Sequence, residues 1–251
     1  ALLKRCMHYN YSLIYSEFSF VGEELTLPDN ILDKDVDGLI FLKDIPLILI
    51  TKLQALDIPF VIADDHSEHT SLYTVKADYQ LAAYTAVHYL IEQGHRDIGF
   101  VGNMDLPAFY TQIFSGYQKA LKEAGLTLEL SWFFDKISDR DTTETYISQL
   151  LHQKKLPTAI FCMEDFLGIE LIRYLQKCGL HVPQDISVIA IDDIIISSQI
   201  YPSLTTVAIN NEEIGTYSID ILMDLINKKK TKSITISSNN IIIRESVRSL
   251  L

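Results

Sequence analysis

The chain has 251 residues, 48% hydrophobic and 22% charged, which suffices to bury cores in two lobes of roughly 100–150 residues each. Acidic side chains outnumber basic ones 33 to 21, and a formal net charge of −12 repels phosphate, which argues against tight DNA binding by this chain alone. No run approaches the ~18 apolar residues of a membrane span, and the opening ALLKRCMHYN lacks the basic end and apolar core of a secretory leader. Three scattered cysteines, Cys6, Cys162 and Cys178, read as free thiols in a reducing cytosol, so the expected location is cytoplasmic.

Short β-branched or apolar runs alternate with helical patterns. Gly38–Leu42 and Phe60–Ala63 read as buried parallel strands. Over Asp78–Gln93, Tyr84, Val87, His88 and Ile91 recur at helical spacing, and Gly94 stops the helix. The strand Ile98–Val101 follows. Asp141-Thr142-Thr143-Glu144 reads as a capping box ahead of Tyr146, Ile147 and Leu150. Thr158–Cys162 predicts a strand, Asp165–Cys178 a helix stopped by Gly179, Ile186–Ile191 a strand and Asn211–Ile226 a helix. Near the end, Ser233–Ile236 and Ile241–Arg244 flank Ser-Ser-Asn-Asn and predict a pair of strands joined by a turn. The β-α alternation implies open, doubly wound parallel sheets.

Ligands of such sheets sit beyond the carboxyl ends of the strands, where side chains and helix N-termini converge. Asp64, the pair Glu164 and Asp165, and the pair Asp192 and Asp193 all fall at such ends, and predict a carboxylate rim suited to hydroxyl groups. Catalytic chemistry finds little support. There is no Gly-rich phosphate loop and no GxSxG elbow, so neither an enzyme nor a cofactor is expected. Asp65, His66, Glu68 and His69 cluster in one polar loop, but no further ligand set supports a metal. His95 reads as a polar turn residue, and Trp132 as core.

Several stretches resemble the lactose/galactose repressor family: Asp78 through YTAVHYLIEQGHRDIGFVGN, Asp37–Ile40, Ile58–Val61, Gly116-Tyr117, Pro157–Ala159, GLHVPQDISVIAIDD, Pro202–Val207, Gly215 and Ile243–Ser246. The likeness covers nearly the whole chain. It implies an α/β, periplasmic-binding-protein-like core: two doubly wound parallel-sheet lobes joined by three crossovers, with a small, sugar-like effector expected between them. The expected lobes are 1–93 with 208–230, and 94–207 with 231–251.

The resemblance also implies a homodimer, with helices around Leu81–Tyr89 and Ile169–Tyr174 as candidate surfaces. Operator DNA would be contacted through a helix-turn-helix head that these residues do not include. The chain also starts at the first helix of the core, without the family's first strand, and reads as a fragment. By position, Asp192 matches the effector-holding carboxylate, and Asp193 is expected to brace the following loop. Other pocket positions depart from the family pattern. Ile113 stands where an arginine is usual, Ile209 where a glutamine is frequent, Phe109 at an often polar position, Glu164 where asparagine is common, and Arg140 near the usual aromatic. An inverted charge pattern, Arg140 opposite Glu164 and Asp192, is therefore expected. The alternative is a free-standing solute-binding protein of a transport system.

Overall fold

The structure, a computed structural model, describes all residues except 22–23, 43–44, 67–70, 106, 137–139 and 238–239, and it leaves the side chains of residues 20, 21, 24, 140 and 141 undescribed. The chain divides into two compact units, Ala1–Ala77 with Asn210–Ile236, and Asp78–Ile209 with Ser237–Leu251, so it passes from one to the other three times.

In the first unit the elements are α1 (Leu2–His8), β1 (Ser19–Val21), β2 (Glu24–Thr26), α2 (Asp29–Leu32), β3 (Leu39–Leu42), α3 (Leu47–Leu56), β4 (Phe60–Ala63) and β5 (Thr74–Ala77). The second unit supplies α4 (Tyr79–Glu92), β6 (Ile98–Val101), α5 (Pro107–Glu123), β7 (Phe133–Phe134), α6 (Arg140–Leu151), β8 (Ala159–Cys162), α7 (Asp165–Lys177), β9 (Ser187–Asp192) and β10 (Thr205–Ala208). The chain then returns to the first unit with α8 (Asn211–Ile226) and β11 (Ile234–Ile236), and closes in the second with β12 (Asn240–Ile242).

The first unit holds a parallel sheet in the order β11-β5-β4-β3, with β1 and β2 as a separate antiparallel pair. Its apolar side chains, among them Leu25, Leu49, Leu53, Ile58 and Ile62, form one buried cluster. α8 lies so close to the sheet that a Cβ on Gly38 would stand 2.8 Å from Leu222. α1 packs on α8, where Arg5 Nε–H donates to Asp220 at 2.7 Å and the Tyr9 hydroxyl donates to the same carboxylate at 2.9 Å.

The sheet of the second unit runs β12-β10-β9-β8-β6-β7, parallel except for β12. The central strands bury nearly every side chain, which is why they read as unbroken apolar runs. Helices pack on it in two pairs, α4 with α5 and α6 with α7. Phe100 centres an aromatic core with Tyr117 at 5.2 Å, Phe133 stacked at 5.2 Å and Phe161 at 5.9 Å between ring centroids. Trp132 is buried and its indole N–H donates to the Lys155 carbonyl, as a core reading requires.

Three expectations need correction. The segment 78–93 was expected in the first lobe, but α4 packs on α5 and on β8, β9 and β10, which puts it in the second unit. The two closing strands do not pair with each other: β11 joins β5 in one unit and β12 joins β10 in the other, so 231–236 belongs to the first unit. Along the candidate dimer helices, Ala82, Val87, Leu171, Ile172 and Tyr174 are buried within the second unit, whereas Leu81, Tyr84, His88, Tyr89 and Ile169 stay partly exposed. His95 is not a solvated turn residue. It is fully buried, with Nδ1 2.9 Å from the Thr158 hydroxyl and Nε2 3.0 Å from the Arg248 carbonyl. A carbonyl can only accept, so the Nε2 proton is fixed there.

Burial holds His95 below its ordinary value of 6.5. The unfolded chain therefore binds a proton below that value that the folded chain does not, and stability drains as pH falls from there toward the lowered folded value. Urea unfolding should show a steeper loss for wild type than for His95→Gln between about pH 6.5 and 5. Gly116 marks a close helix contact, because a Cβ there would sit 2.2 Å from the Gln80 carbonyl oxygen across α4 and α5. Gly116→Ala should cost about 2 kcal/mol or more by the same measurement; a change within about 0.5 kcal/mol would contradict this packing.

Candidate functional site

Because β6, β8, β9 and β10 are parallel neighbours, their carboxyl ends form one edge of the second unit's sheet. Asp192 ends β9 and stands in register with Ala208 of β10, while Glu164 follows β8 at the head of α7. Asp192 and Glu164 are both half-buried. Phe109 lies in the first turn of α5, after β6, and meets Tyr79 edge-to-face at 4.7 Å. Ile209 follows β10, with its N–H 3.5 Å from the Asp192 carbonyl. Arg140 opens α6, and its side chain lies outside the described residues. Ile113, one turn beyond Phe109, is 0% exposed and packs wholly into the core. Asp64, the remaining rim acid, belongs to the first unit.

The backbone at the end of β9 is unusual. Asp192 has φ 128° and Asp193 φ 58°, both in the region L-residues rarely adopt. Such positions cost of order 1–3 kcal/mol each and persist only where surrounding contacts over-determine them. Asp and Asn enter the left-handed well more readily than other non-glycine residues, which suits the second position.

Those contacts converge on Asp165, which the sequence reading placed on the rim. It is instead fully buried in α7. Its Oδ2 accepts from the Ile194 N–H at 3.0 Å and the Ser197 hydroxyl at 2.5 Å, and its Oδ1 accepts from the Thr206 hydroxyl at 2.6 Å. Burial pushes the carboxyl above its ordinary range, the three donors pull it back, and Asp193 nearby adds a small upward push. The net direction is upward, so desolvation outweighs the donors. Asp193 also turns away from a rim role. Its carboxylate takes a 2.5 Å bond from Arg244 and its N–H faces Thr206 Oγ1, which is the loop-bracing role expected of it. Of the three paired or single rim acids beyond these, Asp192 and Glu164 remain at this edge.

Sequence reasoning assigned no role to Arg244, although it noted the Ile243–Ser246 ending. Only the chain path, which carries β12 alongside β10, brings Arg244 to Asp193. In the acidic loop after β4, residues 67–70, with Glu68 and His69, lie outside the described residues. No group of three potential metal-ligating side chains occurs among the described residues. A separate apolar groove of about 830 Å³ lies in the first unit, between the Asn10–Phe18 segment, β3 and α8. It contains none of the expected site residues.

Comparison with known proteins agrees with this architecture. A model of the periplasmic binding protein-like domain matches residues 87–247. The chain is 32% identical to catabolite control protein A of Priestia megaterium over 228 residues, covering 90% of this chain and 69% of that protein. It is 30% identical to the HTH-type transcriptional repressor PurR of Actinobacillus pleuropneumoniae serotype 3, covering 100% of this chain and 76% of that one. Among solved structures, a LacI family transcriptional regulator from Enterococcus faecium with bound ribose superposes with a TM-score of 0.82 at 23% identity, covering 100% of this chain and 92% of that one. That likeness carries the fold, while the sequence matches carry the kinship. The chain belongs to the lactose/galactose repressor family of transcriptional regulators and carries its effector-binding core.

Proposed function

We propose that this chain is the sensing part of a transcriptional regulator, in which a small hydroxyl-rich effector binds at the carboxyl edge of the second unit's sheet and alters operator binding by the whole protein. The observation that carries this is Asp192, a half-buried carboxylate held in strained backbone at the end of a central parallel strand. A carboxylate accepts charge-assisted, directional hydrogen bonds from hydroxyl groups, which suits a sugar. Glu164 and Phe109 flank the site in this reading, one as a second acceptor and one as an apolar wall. Ile209 contributes backbone more than side chain, and Ile113 lies one turn beyond Phe109 on the buried face of α5. Arg140 is kept in the reading as the candidate cation, by its position in the sequence alone.

Relatives named as transcriptional repressors favour a regulator over a transport protein. An effector acts on DNA binding only through unequal affinity for two conformations, so the reading includes two states. It also includes a homodimer, a cytoplasmic location and no catalytic step. Among the described residues no helix is long and apolar enough to cross a membrane.

A thermal-shift panel of D-ribose, D-glucose, cellobiose, D-ribose 5-phosphate, adenosine and putrescine tests the reading, because a ligand selective for the folded state raises the melting temperature. At least one compound should give a saturable rise. Asp192→Asn should weaken that compound about tenfold or more while leaving unliganded stability within about 0.5 kcal/mol. A saturable shift that survives Asp192→Asn unchanged would place the ligand elsewhere.

A further inference from the structure

The turn after β9 is gripped from two sides by groups far apart in sequence. On one side Asp165 binds the Ile194 N–H, the Ser197 hydroxyl and the Thr206 hydroxyl. On the other, three consecutive residues beyond β12 hold the loop that joins β9 to β10 and the strands on either side of it. Arg244 Nη2–H donates to Asp193 Oδ1, and its Nη1–H donates to the Leu204 carbonyl at 2.8 Å. The Glu245 carboxylate accepts from the Ser203 N–H at 2.9 Å and from its hydroxyl at 3.0 Å. The Ser246 hydroxyl donates to the Val188 carbonyl at 2.6 Å and accepts from the Thr205 N–H at 2.8 Å.

Of the three residues beyond β12, Arg244 is the one bonded to the carboxylate of Asp193, whose own N–H faces Thr206 Oγ1. The Arg244 side chain is 16% exposed and that of Asp193 29%, so water screens the pair only in part. The planar guanidinium serves a carboxylate and a carbonyl at once, through donors fixed in one fork. Two successive residues at positive φ would relax if nothing held them.

We propose that Arg244 is a positioning residue for the effector site: by gripping Asp193 and the Leu204 carbonyl it holds the Asp192–Asp193 backbone in its strained form, and so fixes the direction of the Asp192 carboxylate. The functional meaning rests on the reading of Asp192 as the effector's acceptor. The two adjacent acids thereby divide their work, with Asp193 tied to the protein and Asp192 set by that tie.

Amide hydrogen exchange on ligand-free wild type, Arg244→Met, Arg244→Lys and Asp193→Asn tests the brace, with urea unfolding as the measure of global stability. Arg244→Met keeps the aliphatic stem and removes the fork. It should speed exchange across residues 192–199 by about tenfold more than across β6 and β8. Arg244→Lys, with one point donor, should restore part of the protection. Adding Asp193→Asn to Arg244→Met should change nothing further, since both act on one contact. Unchanged exchange at 192–199 would overturn the proposal, and so would equal speeding across the sheet, which marks a general loss of stability. The experiment contains no ligand, so its failure is distinct from failure of the effector reading, which the ligand panel with Asp192→Asn decides.

Discussion

A buried carboxylate, Asp165, accepts three hydrogen bonds from the loop and strand that surround the end of β9, and the shape of the sheet's carboxyl edge depends on it. Taking such a group out of water is unfavourable unless its lone pairs are satisfied, and here two donors come from the β9–β10 connection and the third from β10. Removing one partner would leave the others around an unsatisfied charge, so the loop holds together as a unit. Arg244 closes the same loop from its other side through Asp193. Between these two grips the chain turns through two residues at positive φ, and the first of them is Asp192.

Parallel topology turns this local arrangement into a site. Strands β6, β8, β9 and β10 all point the same way, so the turns that follow them gather at one edge. The apolar strands leave little room for a polar group within the sheet, and chemistry collects where they stop. Acids at those stops divide into two kinds. Asp165 is buried and Asp193 is tied to Arg244, and Asp192 and Glu164 stand half-buried at the edge.

Much of the fold was legible because burial on both faces leaves a plain signal. β4 and β6 fall where their apolar runs predict them, and α8 spans the residues its periodicity marks. β9 ends one residue later than expected, on Asp192 itself. Pairing partners were not legible. Ile234–Ile236 and Asn240–Ile242 look like a hairpin because they are short, apolar and separated by turn-forming residues, yet each joins a different sheet. Local sequence reports the tendency to extend, while the neighbour is chosen by the path of the whole chain. The same limit hid the unit boundary: α4 carries an ordinary amphipathic pattern, and only its packing on α5 assigns it to the second unit. His95 was misread because a Gly-His-Arg-Asp stretch looks solvated, whereas long-range partners at Thr158 and Arg248 satisfy the ring in the interior. At the site, Asp192 and Asp193 could be placed at a strand end from sequence. Their different fates could be assigned in detail only once Arg244, fifty-one positions away, was seen beside one of them.

The most direct measurement is a crystal structure of the protein with whichever panel compound most raises its melting temperature. The account predicts a hydroxyl or amine of that compound within about 3 Å of the Asp192 carboxylate, with Asp165 and Asp193 still bound to their own partners. A ligand seated in the groove beside β3, or density at the sheet edge with the Asp192 carboxylate turned away from it, would contradict the account.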